Sequence, residues 1–231
     1  MYPMFIDYWY IILVIPAMIL AAWAQYKVKS TFKKYNNILN SRGVTGAYAA
    51  QSILRFYGIS DVSIQPVGGT LTDNFNPKTK IISLSQDVYS GNSIAAVGVA
   101  CHEAGHAAQH AENYMPVKVR NAIVPVTNIG STLGLPIAII GVFLGLTPLV
   151  KIGLLMYGMI FLFQLITLPV EFNASRRALK VIEETGLLYN DEVSGARKVL
   201  SAAAMTYVAS MIVALANLLR FVIRFSGNKK R

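Results

Sequence analysis

The chain has 231 residues, of which 54% are hydrophobic and only 14% charged, and it carries a formal net charge of +10. A soluble domain has about 25% charged residues, so the composition excludes an ordinary soluble globule and points to a membrane protein, and the apolar runs below make it a mainly α, polytopic one. The basic residues flank apolar runs and read as topology rather than as a nucleic-acid surface. A single cysteine, Cys101, excludes an intramolecular disulfide and a cysteine-rich zinc site, which leaves histidine and carboxylate as donors for any metal.

Residues 8–24 form the first apolar run, near the lower limit of about 17 residues for crossing hydrocarbon. Trp9, Tyr10, Trp23 and Tyr26 stand at its ends as interfacial aromatics, and Pro16 predicts a kink. No A-x-A-like site follows, so the run reads as a retained anchor rather than a cleaved signal. Lys27, Lys29, Lys33 and Lys34 come next, which places that end in the cytoplasm and the N-terminus outside. Residues 45–57 read as an amphipathic helix stopped by Gly58. Residues 62–67 and 80–85 alternate as strands, with turn chemistry at 74–78 between them, and predict a small β-hairpin. Beside this structural role stands a functional one. A strand just before a metal-binding helix can hold an extended substrate as one more strand, which makes Ile82 and Leu84 candidate substrate-binding residues.

Residues 94–112 have helical character and contain His102-Glu103-Ala104-Gly105-His106. Positions i and i+4 share a helix face, so His102 and His106 can present two imidazoles to one metal ion. Glu103 adjoins the first of them and reaches a metal-bound water. Two neutral nitrogens, an open position and a carboxylate base are the parts of a zinc hydrolase. His110 extends the i, i+4 series, but a straight helix carries it about 6 Å beyond His106. It reads as a surface histidine or one that supports a ligand from behind, unless the helix breaks after His106.

Residues 122–150 and 152–170 carry no charge and read as a transmembrane hairpin turning at Thr147-Pro148 and Lys151. Both flanks of such a hairpin lie on one side of the membrane. Glu171 is the first ionisable residue to emerge there, which makes it the candidate third ligand of a two-His-one-Glu site. Its competing reading is an interfacial carboxylate paired with Arg176 or Arg177. A last apolar run, 199–219, is long enough to span. Segments 27–120 and 171–198 hold 15 of the 21 basic residues, and this puts the site in the cytoplasm. Arg220, Arg224, Lys229, Lys230 and Arg231 stand against that scheme, because four full spans place them outside.

The stretches 84–90, 93–107, 168–178 and 203–209 together resemble the membrane-bound neutral zinc metallopeptidases of the YugP type, and more distantly the HtpX-type membrane proteases. The resemblance implies a zincin-like helix pair in a bacterial cell membrane with about four transmembrane helices. It also implies one zinc ion on His102, His106 and Glu171, with Glu103 as catalytic base. HtpX-type sites carry an Asp four residues after the ligand glutamate, supporting a ligand from behind. Here that position is Ser175, with Arg176 next to it.

These readings divide the chain into an anchor (1–26), a cytoplasmic zincin-like part (27–121), a transmembrane hairpin (122–170), cytoplasmic helices with the third ligand (171–198) and a last apolar helix with a basic tail (199–231). The expected activity is peptide-bond hydrolysis at the cytoplasmic membrane edge, on polypeptides that include membrane proteins, with the lipid bilayer as the other partner and no nucleic acid. Oligomeric state is left open. Tyr207, Arg176 and Arg177 are the candidate oxyanion donors, and a core tyrosine with a satisfied hydroxyl is an equal reading of Tyr207. A site-2-type intramembrane protease would need the motif inside a long apolar span. The non-enzymatic alternative is a membrane scaffold or chaperone-like protein with a retained zinc site. Structural zinc sites are closed by four ligands, whereas this chain offers three and an acid beside the first.

Overall fold

The computed structural model describes residues 7–226. Its first helix opens with a π-helical stretch, Tyr10–Val14, and continues as α1, Ile15–Asn36. Pro16 accounts for the wide turn. Proline has no N–H to donate and its ring crowds the carbonyl four residues back. The wide turn, closed by the Ile15 N–H on the Tyr10 carbonyl, absorbs that misfit. α1 then runs on through the lysine cluster, beyond the apolar run itself.

α2, Gly46–Phe56, is capped by Thr45, whose hydroxyl accepts the Tyr48 N–H at 3.3 Å. Three strands follow: β1 (Ser63–Val67), β2 (Asn74–Asn76) and β3 (Ile81–Ser85), in the order β1-β3-β2. The hairpin is β2–β3, paired antiparallel, whereas β1 joins β3 in parallel. This differs from the sequence reading, which paired 62–67 with 80–85. The run 74–78 is part strand and part turn. Asn76 Oδ1 accepts the Lys78 N–H at 3.0 Å, so the chain reverses only after Asn76.

A short α3, Gln86–Tyr89, leads to α4, Ile94–Ala111, which Ser93 caps by accepting the Ala96 N–H. Gly46 lets α2 start tight against α3, since a Cβ there would lie 2.1 Å from the Val88 carbonyl oxygen. Three long helices complete the chain: α5 (Met115–Phe143), α6 (Thr147–Thr185) and α7 (Asn190–Ser226). α6 is one continuous helix through Pro169, where the sequence suggested a span followed by a separate polar helix. Among the described residues four helices are long and apolar enough to cross a membrane: Tyr10–Asn36, Met115–Phe143, Thr147–Thr185 and Asn190–Arg224. The architecture is that of a mainly α, polytopic membrane protein with a small sheet.

The chain divides into two compact units. The first holds the described residues up to Gln25, Lys118–Leu168 and the described residues from Thr206. It is apolar on the outside: Leu133, Phe143 and Leu155 are exposed. Its buried positions are mostly small or polar. A minor core there joins Val14, Ala17 and Ala216. The second unit, Tyr26–Val117 and Pro169–Met205, has an ordinary hydrophobic core, in which Ile53, Leu54, Ile82, Leu84, Val97 and Ile182 are completely buried.

Candidate metal centre

The site lies within the second unit and is built by α4 and α6. α4 is rich in small residues along its buried side: Ala100, Ala104, Ala107 and Ala108 are all inaccessible. That thin face allows another helix to come close. At Gly105 the approach is extreme, because a Cβ there would stand 2.7 Å from the Ala174 carbonyl oxygen. Gly105 adjoins His106, and Ala174 lies one turn beyond Glu171, so this contact sets the spacing of the charged groups.

His102 and His106 share a face of α4, with ring centroids 4.7 Å apart and planes at 82°. Glu171, 4% exposed, comes from α6. Its Oε2 lies 3.3 Å from His102 Nε2 and 3.5 Å from His106 Nε2. Among the described residues these three form a group with one ligand atom each, all within 4.8 Å of one another. In a tetrahedral zinc site with bonds of about 2.0–2.1 Å, neighbouring donor atoms stand about 3.3–3.4 Å apart. The two imidazole–carboxylate separations are close to that edge, so the donor set fits zinc in type and Glu171 stands at ligand spacing from each imidazole. Each imidazole also has a partner at its other nitrogen. Ser175 Oγ is 3.1 Å from His102 Nδ1, and Gln109 Oε1 is 3.0 Å from His106 Nδ1. Contacts of this kind orient metal-facing histidines.

The electrostatics are those of a buried, coupled cluster. Burial alone would push the Glu171 carboxyl up, but hydrogen bonds from both imidazoles outweigh it and hold it below the usual carboxylate range. For His106 burial works against the charge, and the bond to Glu171 more than offsets it, raising the imidazole. Glu103 goes the other way. Burial raises its carboxyl, the two imidazoles offset this in part, and the Glu171 and Asp73 carboxylates add to it. A carboxylate with raised basicity next to two metal-ligand candidates is suited to accept a proton.

The other residues singled out in the sequence are placed as follows. His110 is exposed, outside the cluster, with its ring 6.1 Å from that of Phe75. Ile82 and Leu84 do not form a substrate-binding edge: both are completely buried, and β3 is the central strand, paired on both sides. The outer strands are β1 and β2. Arg176 is exposed, and Arg177 pairs with Glu112 at 2.6 Å. Tyr207 is half-buried on α7 and belongs to the first unit. The sequence reading missed Gln109. The available signal was a lone amide three residues after His106 on an alanine-lined helix face, where a buried polar group requires partners. It also passed over Asp73, whose carboxylate accepts the Ser85 N–H at 2.7 Å.

No solved structure matches this chain. It is 48% identical to the "Putative membrane protease YugP" of Bacillus subtilis (strain 168) over 220 residues, which is 95% of this chain and 98% of that protein. A family model described as "Putative neutral zinc metallopeptidase" matches residues 10–226. With the four apolar helices and the two-His-one-Glu group already described, these matches establish that the chain belongs to that family of zinc metallopeptidases.

Proposed function

We propose that this chain is a zinc endopeptidase of the cell membrane, with its site on the cytoplasmic side. The observation that carries the reading is that Glu171 stands 3.3 Å from His102 Nε2 and 3.5 Å from His106 Nε2, close to the edge of a tetrahedral zinc site, with Glu103 beside the first histidine. His102, His106 and Glu171 would hold the ion. When bound, zinc polarises a carbonyl oxygen and lowers the pKa of water towards about 7. The chain supplies the rest. Glu103 takes the proton of the attacking water and returns it to the leaving amine. Its raised carboxyl favours the first of these transfers.

With β3 enclosed, an extended substrate would add to the edge of β2, whose Phe75 ring faces His110 on α4. The positive-inside rule assigns segments 27–121 and 171–198 to the cytoplasm, with 1–26, 122–170 and 199–231 as the membrane parts and their outer ends. Of the C-terminal basic residues that stand against four full spans, Arg220 and Arg224 have an acidic partner. Asp7 binds Arg220 at 3.1 Å and Arg224 at 2.6 Å within the first unit, which offsets part of the outward positive charge.

The test is to purify the full chain, measure its zinc, and compare cleavage of an unfolded polypeptide by the wild type and by Glu103→Gln. Zinc content should be equal in the two. Cleavage should fall about 10²–10⁴-fold in the variant, the usual worth of a positioned base. Bound zinc with equal activity in both, or with none in either, overturns the reading in favour of a scaffold that retains the ion.

A further inference from the structure

The two candidate ligand histidines are supported unequally, and the difference singles out one residue. Ser175 approaches His102 through a hydroxyl, which can donate or accept and so does not dictate where the ring proton sits. Gln109 is completely buried, and each atom of its amide has a defined neighbour. Its Nε2 donates to the Val170 carbonyl at 2.8 Å and to Asn173 Oδ1 at 3.0 Å. The same Asn173 Oδ1 accepts from Arg177 Nε at 2.8 Å, and Arg177 Nη1 pairs with Glu112 Oε2 at 2.6 Å.

A guanidinium only donates and keeps its charge. Every hydrogen in this chain of contacts therefore has one permitted direction. Arg177 requires the oxygen of Asn173, and that oxygen requires the NH2 of Gln109. Turning the Gln109 amide over would set its oxygen against two acceptors, the Val170 carbonyl and Asn173 Oδ1. Gln109 Oε1 is thus held towards His106 Nδ1, where it can only accept. In the neutral ring Nδ1 therefore carries the proton, and the lone pair stands on Nε2, the atom that faces Glu171; only the charged imidazole can also donate to Glu171 from Nε2.

We infer that Gln109 is the positioning residue of the site: locked by Val170, Asn173 and Arg177, it fixes His106 in the Nδ1–H tautomer and delivers Nε2 to the metal. The inference rests on the metal-site reading of His106 but not on peptidase activity. A buried amide that only bridged α4 and α6 would leave the histidine tautomer free. Here the tautomer follows from an arginine three contacts away from the ring.

The test uses the full chain in detergent micelles, with histidine ¹⁵N-labelled and the metal removed, at alkaline pH where imidazole is neutral. The His106 resonance is identified as the one lost in His106→Gln. The wild type should show His106 as Nδ1–H. Gln109→Leu should shift it to the Nε2–H form and weaken zinc about 10–100-fold in competition with a chelator, the usual cost of losing such a partner. Gln109→Glu keeps an acceptor at Nδ1 and should return the ring to the Nδ1–H form, but its second oxygen meets the Val170 carbonyl and Asn173 Oδ1, so zinc affinity should recover only in part. Should Gln109→Leu fail to fold, Arg177→Gln leaves the buried amide in place but removes the anchor. It should mix the two tautomers and weaken zinc by a smaller factor. A wild-type His106 in the Nε2–H form, or variants with unchanged tautomer and zinc affinity, overturns the proposal. Failure of the peptidase reading would show separately, as zinc-loaded protein whose cleavage does not respond to Glu103→Gln.

Discussion

The crossing of α5 with α6 in the first unit and that of α4 with α6 in the second both bring backbone against backbone. In the first unit α5 presents Gly130, Gly134, Ala138 and Gly141 at steps of three and four residues, a stripe of small residues along one face. α6 answers with Gly153, where a Cβ would lie 2.4 Å from the Ala138 nitrogen and 2.5 Å from the Gly134 carbonyl oxygen. In a bilayer, lipid tails are as apolar as leucine, so close packing of this kind is what holds spans together. In the second unit α4 meets α6 at Gly105, against the Ala174 carbonyl. The device is the same but the consequence differs. The first crossing has only packing to lose, whereas the second carries His106 and Glu171 on its two sides. Small residues at a crossing therefore do not mark a site. What distinguishes the second crossing is the ionisable groups placed next to the contact.

The largest effect should come from Gly105→Ala. On an open helix surface this change stabilises by about 0.5–1 kcal/mol. Here the added methyl meets a carbonyl oxygen that belongs to backbone, so α4 and α6 must separate. Overpacking of this kind costs about 1–3 kcal/mol. Because the separation occurs between ligand candidates, it should appear as zinc affinity lowered about 10–100-fold, at about 1.4 kcal/mol per tenfold. Chelator competition measures it, and cleavage should fall in parallel. A variant with raised thermal stability and unchanged zinc binding would dissolve the contrast between the two crossings.

Gly153→Ala applies the same insult to the first unit. Stability in micelles should fall by a similar 1–3 kcal/mol or so. Zinc affinity of the folded fraction should stay within about twofold, since the change touches no residue of the second unit. Thermal unfolding followed by helix content, paired with zinc titration, separates the two quantities. Coupled loss of zinc would mean that the crossings do not act independently.

What could be read from the sequence followed the strength of the local signal. The spans were legible because an uncharged apolar run of 19 residues such as 152–170 matches the length a helix needs to cross hydrocarbon. The motif helix was legible because His102 and His106 sit four apart, with Ser93 at the cap. Glu171 could be singled out because two adjacent apolar runs, read as a hairpin, would return the chain to the side it left. Strand β2 was hidden by Asn74, Asn76 and Pro77, residues whose turn chemistry outweighs one central Phe75. The parallel pairing of β1 with β3 depends on long-range contacts, which alternation does not encode. The continuity of α6 past Pro169 was masked by the usual behaviour of proline in soluble helices. Gln109 was obscure for a different reason. Its partners, Val170 and Asn173, lie more than sixty residues away and become neighbours only once α4 and α6 meet.

The smallest effect, and the one that separates the units by chemistry rather than geometry, concerns Asp73. The α5–α6 stripe contains nothing to ionise, so the Gly153→Ala penalty should be the same at every pH. The second unit buries carboxylates. Burial raises the Asp73 carboxyl above its usual value, with the Ser85 hydrogen bonds offsetting part of the shift. An acid whose folded pKa is raised binds its proton more firmly when folded. In the window between about 3.9, its unfolded value, and the higher folded one, the folded state holds more protons, and stability falls as pH rises. Asp73→Asn keeps an oxygen for the Ser85 N–H and removes that loss. The metal-free variant should therefore gain stability relative to the wild type as pH rises through this window. The gain should level off above it and vanish below about pH 4. Thermal midpoints across that range, with chelator present, would show the trend. A difference that is flat with pH, or that grows towards acid, would mean that Asp73 is stabilised as a carboxylate by Ser85, and that burial at this edge of the site carries no electrostatic penalty.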